Sequence, residues 1–294
     1  MVAEPQGISP PIEPDKPRFT LPPLTVVLVI VALLATFSRH FVWLVEKGWH
    51  NEYYGHGFLI PIISAYLIYR RKDYLRTLPR TGFYWGLPLV VLGLALHILA
   101  IVTDVNFVQG FALVTVICGL VVWLWGRPVA TDLAFPLIFL MFMVPMGRLL
   151  VDKFAQPMQL YGAKIAGGAA SFAGIPVQVE GTSMTIPDYT FEVAIPCSGL
   201  KSAIALTALG ALYAYLLVGP LWKRWLVFAA SLPVALMANG ARLWLTLVLA
   251  ASLGPKTAEG FFHELSGIFV FIIALAGLFG IGSLIGCSQI REDI

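Results

Sequence analysis

The sequence has few charged residues. They make up 12% of its 294 positions, whereas hydrophobic residues make up 59% and the mean hydropathy is +0.84. A typical soluble domain carries about 25% charged residues. The apolar residues form continuous segments of roughly 18–25 residues, rather than the ~10-residue alternating stretches of an outer-membrane barrel. This composition excludes an ordinary soluble domain and predicts an all-α integral membrane protein.

Cysteine is also scarce, and the pattern that a metal site needs is missing. Cys118, Cys197 and Cys287 are scattered in or beside apolar runs, without a C-x-x-C pair or a Cys/His cluster. An odd number of separated cysteines supports neither a disulfide framework nor structural zinc. The sequence HELSG at 263–267 lacks the second histidine of a HExxH site. We therefore expect no metal and no cofactor. Since basic runs with interleaved aromatics are also absent, we expect no nucleic-acid partner.

The hydrophobic pattern predicts about eight membrane-spanning helices. Residues 1–23 contain seven prolines and no apolar core, which argues against a signal peptide and predicts a cytoplasmic Pro-rich tail. A polytopic membrane domain is expected over 24–286, and a cytoplasmic C-terminal tail over 287–294. The eight predicted spans are 24–45, 57–70, 83–103, 107–126, 132–151, 197–219, 225–250 and 262–286.

The basic residues predict the orientation of these spans. The densest basic patch, between 70 and 80, separates the second and third spans. The positive-inside rule places it in the cytoplasm. Arg127 and the pair 223–224 then fall on the same side, as do both ends of the chain. We therefore expect a multi-pass protein of a bacterial or archaeal cytoplasmic (inner) membrane, with the long segment 152–196 on the extracytoplasmic side.

A small β-hairpin is predicted within that long segment. Residues 176–187 and 191–194 alternate apolar and polar side chains around turn residues, which is the pattern of a hairpin. The second run ends just before Cys197. The hairpin is therefore expected to deliver Cys197 to the start of the sixth span.

Cys197, followed by Ser198, is a candidate nucleophile at the boundary between water and lipid. At the start of a helix, unpaired backbone N–H groups and the helix dipole favour a thiolate, as would a nearby guanidinium or imidazole. The alternative is a small, buried, apolar cysteine. That alternative is our interpretation of Cys118 and Cys287.

Arg242 is the strongest physical signal among the polar residues. An arginine within an apolar span costs at least about 2.5–3.5 kcal/mol on insertion scales, so it requires a partner or a cavity. It follows Asn239 by three residues, which places both on one helical face. A fixed guanidinium can hold a substrate carbonyl, a carboxylate or a developing oxyanion. The alternative is that Arg242 extends to the lipid headgroups.

Two histidines and a glutamate on the same predicted side are further candidates. His263 begins the last span, where a neutral imidazole can take a thiol proton and return it to a leaving amine. The alternative is an interfacial histidine. His56, at the start of the second span, and Glu192, five residues before Cys197, are candidate supporting residues. Glu192 is otherwise a solvated residue of the hairpin.

Several motifs, taken together, resemble the exosortase/archaeosortase family of membrane cysteine transpeptidases. The resemblance covers roughly residues 40–285. It depends on three motifs in order and on two supporting ones. These are CSGLKS at 197–202, NGARLW at 239–244 and HELSG at 263–267, with YYGHGFLIP at 53–61 and AFPLIFLMFMVP at 134–145.

The resemblance implies a thioester mechanism. Cys197 would be the nucleophile, His263 the general acid/base, and Arg242 the group that stabilises substrate or oxyanion. The implied partners are exported proteins with a PEP-CTERM-like C-terminal sorting tag, which consists of a short motif such as Pro-Glu-Pro, a transmembrane helix and a basic cluster. The enzyme would cut near the motif and pass the protein to an acceptor at the cell surface. Lys201 stands where an arginine is common in the family.

Two other functions compete with this one. The first is a membrane component of exopolysaccharide export or assembly without peptidase activity. It would need several polar residues along the middle of the spans, where this chain has mostly Leu, Val, Ala and Gly. The second is a structural membrane subunit without chemistry. This function would not explain Arg242 or the hairpin.

Overall fold

The structure, a computed structural model, describes residues 23–187, 189–193, 195–254, 261–287 and 289–291. The predicted tail before Pro23 lies outside these residues. The described chain is mainly helical, with one small sheet. Its α-helices are α1 (Pro23–Thr36), α2 (Ser38–Trp43), α3 (Leu59–Arg70), α4 (Lys72–Thr77), α5 (Gly86–Val102), α6 (Asn106–Trp125), α7 (Arg127–Asp132), α8 (Ala134–Phe139), α9 (Arg148–Phe172), α10 (Leu200–Leu216), α11 (Leu221–Leu253) and α12 (Phe261–Leu284). Its strands are β1 (Gln178–Glu180), β2 (Ser183–Ile186) and β3 (Tyr189–Glu192).

Fewer helices than predicted are long enough to cross a membrane. Within the described residues, α6, α11 and α12 meet the requirement by length and composition, and α1 with α2 and the π-helical turn Leu44–Gly48 makes a fourth if this pair, bent by 63°, counts as one span. The apolar helices α3, α5 and α10 have 12, 17 and 17 residues, against the ~20 that a span needs. A helical membrane protein is thus supported, and the number eight is not confirmed.

The predicted fifth span, 132–151, is wrong as a single helix. After α8, a 3₁₀ turn ends at Met143, and Val144 is extended (φ −83°, ψ 113°). Pro145 follows and disfavours a helical conformation at the residue before it. Helix α9 then begins at Arg148 and runs for 25 residues. The segment 152–196, which was expected outside the membrane, therefore starts with a helix. Its several charged residues hid it from a search for apolar spans.

Glycines allow α5 and α6 to pack at very short range. A Cβ atom on Gly93 would lie 2.6 Å from the Cγ2 atom of Val116, and one on Gly119 would lie 2.7 Å from the backbone nitrogen of Val90. Small residues at such positions are what lets membrane helices approach closely. The core beside this pair contains Ala112, Leu113, Val114, Phe139 and Met143.

The predicted hairpin is present and is part of a three-stranded antiparallel sheet, in the order β1-β2-β3. Gly181, at φ +62°, lies in the tight turn between β1 and β2. Met184 and Ile186 of β2 are buried against the alanines of α9 and against Leu243 and Leu247 of α11. The sheet therefore rests on helices, and its third strand leads toward Cys197.

The predicted C-terminal tail is partly bound to the rest of the chain. The backbone N–H of Arg291 donates to the carbonyl of Leu216, at 2.8 Å, and Val218 donates to the carbonyl of Gln289, at 2.9 Å. Cys287 is buried, 1% exposed, against α10 and α11, as expected for a small apolar cysteine. Residues 288 and 292–294 lie outside the described part of the chain.

Candidate functional site

Cys197 lies just before a helix rather than in its first turn. It belongs to a 3₁₀ turn, Ile195–Ser198, and α10 begins only at Leu200. Gly199 separates the two in the left-handed conformation (φ +80°, ψ 2°), which residues with a Cβ atom rarely adopt. The Cys197 side chain is half-buried. The sequence thus located the cysteine near a helix start, and the structure places it in a separate 3₁₀ turn before that helix.

Asn239 and Ser198 hold the backbone of this turn. The Nδ2 atom of Asn239 donates to the carbonyl oxygen of Cys197, at 3.3 Å, although 42 residues separate them. Ser198 is fully buried, and its Oγ accepts the backbone N–H of Leu200, at 3.2 Å. The sequence makes both residues, like His56 and Glu192, candidates for substrate binding or for support of the site. Their buried hydrogen bonds to the chain favour support of the cysteine turn.

A missing Cβ atom is what allows Asn239 to reach the turn. A Cβ on Gly199 would lie 2.5 Å from the Cγ atom of Asn239 and 2.9 Å from its Nδ2 atom. On the other side, a Cβ on Gly162 of α9 would lie 3.2 Å from the same Nδ2. The amide therefore occupies a slot between two glycines. Only the tertiary structure brings these three residues together.

Arg242 lies one turn beyond Asn239 on α11 and faces α12. Its guanidinium carbon would be 3.6 Å from a Cβ placed on Gly267. Arg242, Asn239 and Gly267 line a cavity of about 10 Å³, which has room for about one water molecule. The side chain is half-buried. This position favours a role in the site over extension of Arg242 to the headgroups.

The charge of Arg242 acts on the thiol of Cys197. Burial raises the pKa of Cys197 above its ordinary value, and the Arg242 guanidinium opposes that shift only in part. The expected stabilisation of a thiolate is therefore incomplete, because desolvation of the charged form outweighs the cation. A raised pKa favours the protonated thiol, so a reaction at this sulfur would require a base.

The sheet and α9 hold the segment that leads to Cys197 in place. The Nε2 atom of Gln159, which is 8% exposed, donates to the carbonyl of Val193 at 2.7 Å. Cys197 itself packs against the cluster that contains Met184 and Leu243. Glu192 is exposed at the end of β3.

His56 belongs to the turn between the π-helical turn and α3. Its ring stacks on Tyr54, with centroids 6.1 Å apart, and burial lowers its pKa. The Nε2 atom is buried and has no hydrogen-bond partner among the described residues. In the same turn, burial raises the pKa of Tyr53, and nearby charges that include Cys197 raise it further. Sequence reasoning missed Tyr53, although it opens the motif at 53–61.

His263 can be placed only by its backbone, which is helical in α12. Its side chain lies outside the described residues. It precedes Gly267 by four residues, about one turn of helix. Gly267 lies close to the guanidinium of Arg242.

A larger groove elsewhere is apolar and far from these residues. It measures about 380 Å³. Its charged residue, Arg224, already donates to the carbonyls of Ala214 and Tyr215. Arg224 precedes Arg242 by 18 residues, about 27 Å along α11. Within the ranges that the structure describes, no group of three His, Cys, Asp or Glu side chains could hold a metal ion. Apart from Arg224, the groove is lined by aromatic and aliphatic residues, mainly of α8, α10 and α11.

Comparison with known proteins identifies the family of the chain. The family model described as transmembrane exosortase matches residues 48–280. This range includes Cys197, Asn239, Arg242 and the turn around His56. No curated protein and no solved structure gave a match. Because the matched range covers most of the sequence, the chain belongs to the transmembrane exosortase family.

Proposed function

We propose that this protein is a membrane cysteine peptidase/transpeptidase that cleaves C-terminal sorting tags of exported proteins. One observation carries the proposal. Cys197 has its backbone held by Asn239 and its thiol within the electrostatic reach of Arg242. A cysteine that served only as an apolar filler would need neither. Family membership supplies the class of reaction.

In the proposed reaction His263 is the general acid/base. Because burial raises the pKa of Cys197, a base has to remove the thiol proton. The imidazole of His263 takes that proton, and the sulfur attacks the carbonyl carbon of the scissile peptide. The Arg242 guanidinium stabilises the resulting oxyanion. The imidazolium then protonates the leaving amine, and a thioester remains on Cys197. An acceptor nucleophile or water gives a proton to the neutral imidazole of His263 and attacks the thioester; the sulfur leaves and takes that proton from the imidazolium.

The proposed substrate is a protein anchored by its tag helix. A PEP-CTERM-like tag places a short motif just outside a transmembrane helix, followed by a basic cluster. With both chain ends in the cytoplasm, the site would face the extracytoplasmic side, where that motif leaves the bilayer. The sheet would then stand outside the membrane, above Cys197. His56 and Glu192 are proposed to contact the motif.

The cavity beside Arg242 bears on how substrate would reach the guanidinium. A space of about 10 Å³ holds neither a sugar nor a peptide. Under the proposal, the helices around Arg242 therefore separate slightly when a peptide carbonyl reaches it.

A co-expression experiment tests the proposal. A reporter with a C-terminal Pro-Glu-Pro-type tag is expressed with the wild type or with Cys197→Ala, and its cleavage is followed by gel shift and mass spectrometry. Cys118→Ala and Cys287→Ala are matched controls, because they remove cysteines that pack in apolar clusters. We expect cleavage near the motif in the wild type and both controls, and none in Cys197→Ala at equal membrane levels. Cleavage by Cys197→Ala would refute the mechanism.

A further inference from the structure

The apolar groove of about 380 Å³ has the size of a binding site. Small-molecule sites typically measure about 300–1,000 Å³. Helix α8 contributes Phe135, Ile138 and Phe139 to its lining, and α10 contributes Ala211 and Ala214. The alanine side chains are short and leave room beside the larger ones. Because Ile138 is 59% exposed, the groove opens onto the outer surface of the helices.

One end of the groove lies at the boundary of a membrane span. On α11 its lining residues are Leu221, Arg224, Trp225 and Phe228, and the apolar span of α11 itself begins at Leu221. Trp222 and Trp225 are 63% and 60% exposed, and exposed tryptophans at the end of a span are typical of the headgroup layer. From Leu221 to Phe228 the groove follows α11 for about 10 Å. It therefore extends from the headgroup layer into the hydrocarbon region.

Arg224 gives this end of the groove a firmly held positive charge. Its Nε–H donates to the carbonyl of Ala214, at 2.7 Å, and its Nη2 atom donates to the carbonyl of Tyr215, at 3.0 Å. These bonds use two of the five N–H groups of a guanidinium. The other three have no partner in the part of the chain that the structure describes. A guanidinium with unused donors is well suited to bind a phosphate group.

Other basic residues surround the same end of the groove. The guanidinium carbon of Arg291 lies 5.6 Å from the ring centroid of Tyr215, which lines the groove. The backbone N–H of Arg291 donates to the carbonyl of Leu216, the last residue of α10. Lys223 precedes Arg224 and donates to the carbonyl of Ile285, at 2.6 Å. An anion at this end would therefore find cations on more than one side.

We propose that the groove binds one anionic phospholipid, with the phosphate on Arg224 and an acyl chain along the aromatic wall. The chemistry of the groove matches such a molecule at both ends, since its body is apolar and its cation stands at the headgroup layer. The inference goes beyond the proposed reaction and does not depend on it. The groove and Arg242 lie at different ends of α11, about 27 Å apart.

A tag helix of a substrate fits the groove less well than a lipid. A single turn of an α-helix, about 10 Å wide and 5.4 Å long, already has a volume of about 400 Å³, whereas an acyl chain is narrow and flexible. Charge also opposes a tag helix. In the predicted orientation α11 begins on the cytoplasmic side, so a tag would bring its basic cluster to the end of the groove where Arg224 stands.

Lipid binding to the purified full-length protein tests this inference. The protein in detergent is titrated with palmitoyl-oleoyl phosphatidylglycerol, or with phosphatidylcholine that has the same chains, and bound lipid is counted by native mass spectrometry. Arg224→Gln removes the charge. Its matched control is Lys223→Gln, since Lys223 is the adjacent cation and does not line the groove. Ile138→Trp fills the groove from an exposed position and keeps Arg224. Its control is Ile98→Trp, because Ile98 of α5 is 62% exposed and lies outside the groove.

We expect the wild type to bind phosphatidylglycerol about tenfold more tightly than phosphatidylcholine, the effect of one charge-assisted hydrogen bond. Arg224→Gln should lose this preference and bind phosphatidylglycerol about tenfold more weakly. Ile138→Trp should weaken the binding of both lipids, because it removes space for the chain. Lys223→Gln and Ile98→Trp should bind both lipids like the wild type.

Several results would overturn the inference. One is a wild type that binds the two lipids equally well. Another is equal binding of phosphatidylglycerol by Ile138→Trp and Ile98→Trp, a comparison that holds even if Arg224→Gln fails to fold. Displacement of phosphatidylglycerol by an equal concentration of a synthetic tag helix with its basic cluster would assign the groove to the substrate. A dimer that dissociates in Ile138→Trp would assign it to a second copy of the chain.

Discussion

Replacement of Gly199 by alanine tests whether the cysteine turn is as tightly determined as its geometry indicates. At φ +80° a residue with a Cβ atom is strained, at a cost of about 1–2 kcal/mol. The new Cβ would also lie 2.5 Å from the Cγ atom of Asn239, and overpacking of this kind costs about 1–3 kcal/mol. We therefore expect Gly199→Ala to lower the free energy of unfolding by about 2–5 kcal/mol.

The effect on activity should be larger than the effect on stability. To make room, Asn239 must move away and release the carbonyl of Cys197. A displacement of about 1 Å at a reacting group can reduce the rate by about 100-fold. The assay is cleavage of the tagged reporter at equal membrane levels of the variant, together with thermal unfolding in detergent.

Gly174→Ala is the control that introduces the backbone strain without a steric clash. Gly174 has the same φ of +80°, but nothing lies within 4 Å of the position of its Cβ. This variant should lose only about 1–2 kcal/mol and keep its activity. In Gly199→Ala, the further change Asn239→Ala should recover part of the lost stability, because it removes the colliding Cγ and Nδ2 atoms and leaves only the Cβ atom of residue 239, at 2.7 Å. Full activity in Gly199→Ala, or equal loss in both glycine variants, would refute the reasoning.

Three further substitutions examine the contacts around the thiol. In Asn239→Asp the side chain can no longer donate to the carbonyl of Cys197, and cleavage of the tag should fall by about 10- to 100-fold, equivalent to about 1–3 kcal/mol. In Arg242→Gln the cation that lowers the pKa of Cys197 is lost, so the pH at which alkylation of Cys197 by iodoacetamide reaches half its maximum should rise. In Gln159→Met the buried carbonyl of Val193 loses its donor, and thermal unfolding should show a loss of about 1–3 kcal/mol.

Each of these predictions has an outcome that contradicts it. Wild-type cleavage by Asn239→Asp would show that the contact with Cys197 does not position it. An unchanged alkylation profile in Arg242→Gln would remove the guanidinium from the thiol's environment. For Gln159→Met the control is Gln178→Met, since Gln178 is exposed and bonds only locally, to Glu180. Equal effects of these two would mean that the bond to Val193 contributes nothing particular.

The sequence alone determined the class of protein and the polar residues that are candidates for the site. Hydrophobicity is a local property, so the membrane-protein class follows directly from composition. The alternation of apolar and polar residues before Cys197 predicted the hairpin for the same reason, because strand periodicity depends only on neighbouring residues. Arg242 was identifiable because a cation in an apolar helix is costly anywhere. The three motifs, in their order, indicated the family.

Only the tertiary structure decided how those residues work. Asn239 could have contacted substrate, but it bonds to a carbonyl 42 residues away. Gly199 has no room for a Cβ atom because the side chain of Asn239 lies against it, and Tyr53 packs against Leu200, far away in the sequence. The raised pKa of Cys197 reverses the local expectation from the helix start, since burial depends on the whole fold. Contacts between distant segments leave no periodic signal in the sequence, and these contacts make the site.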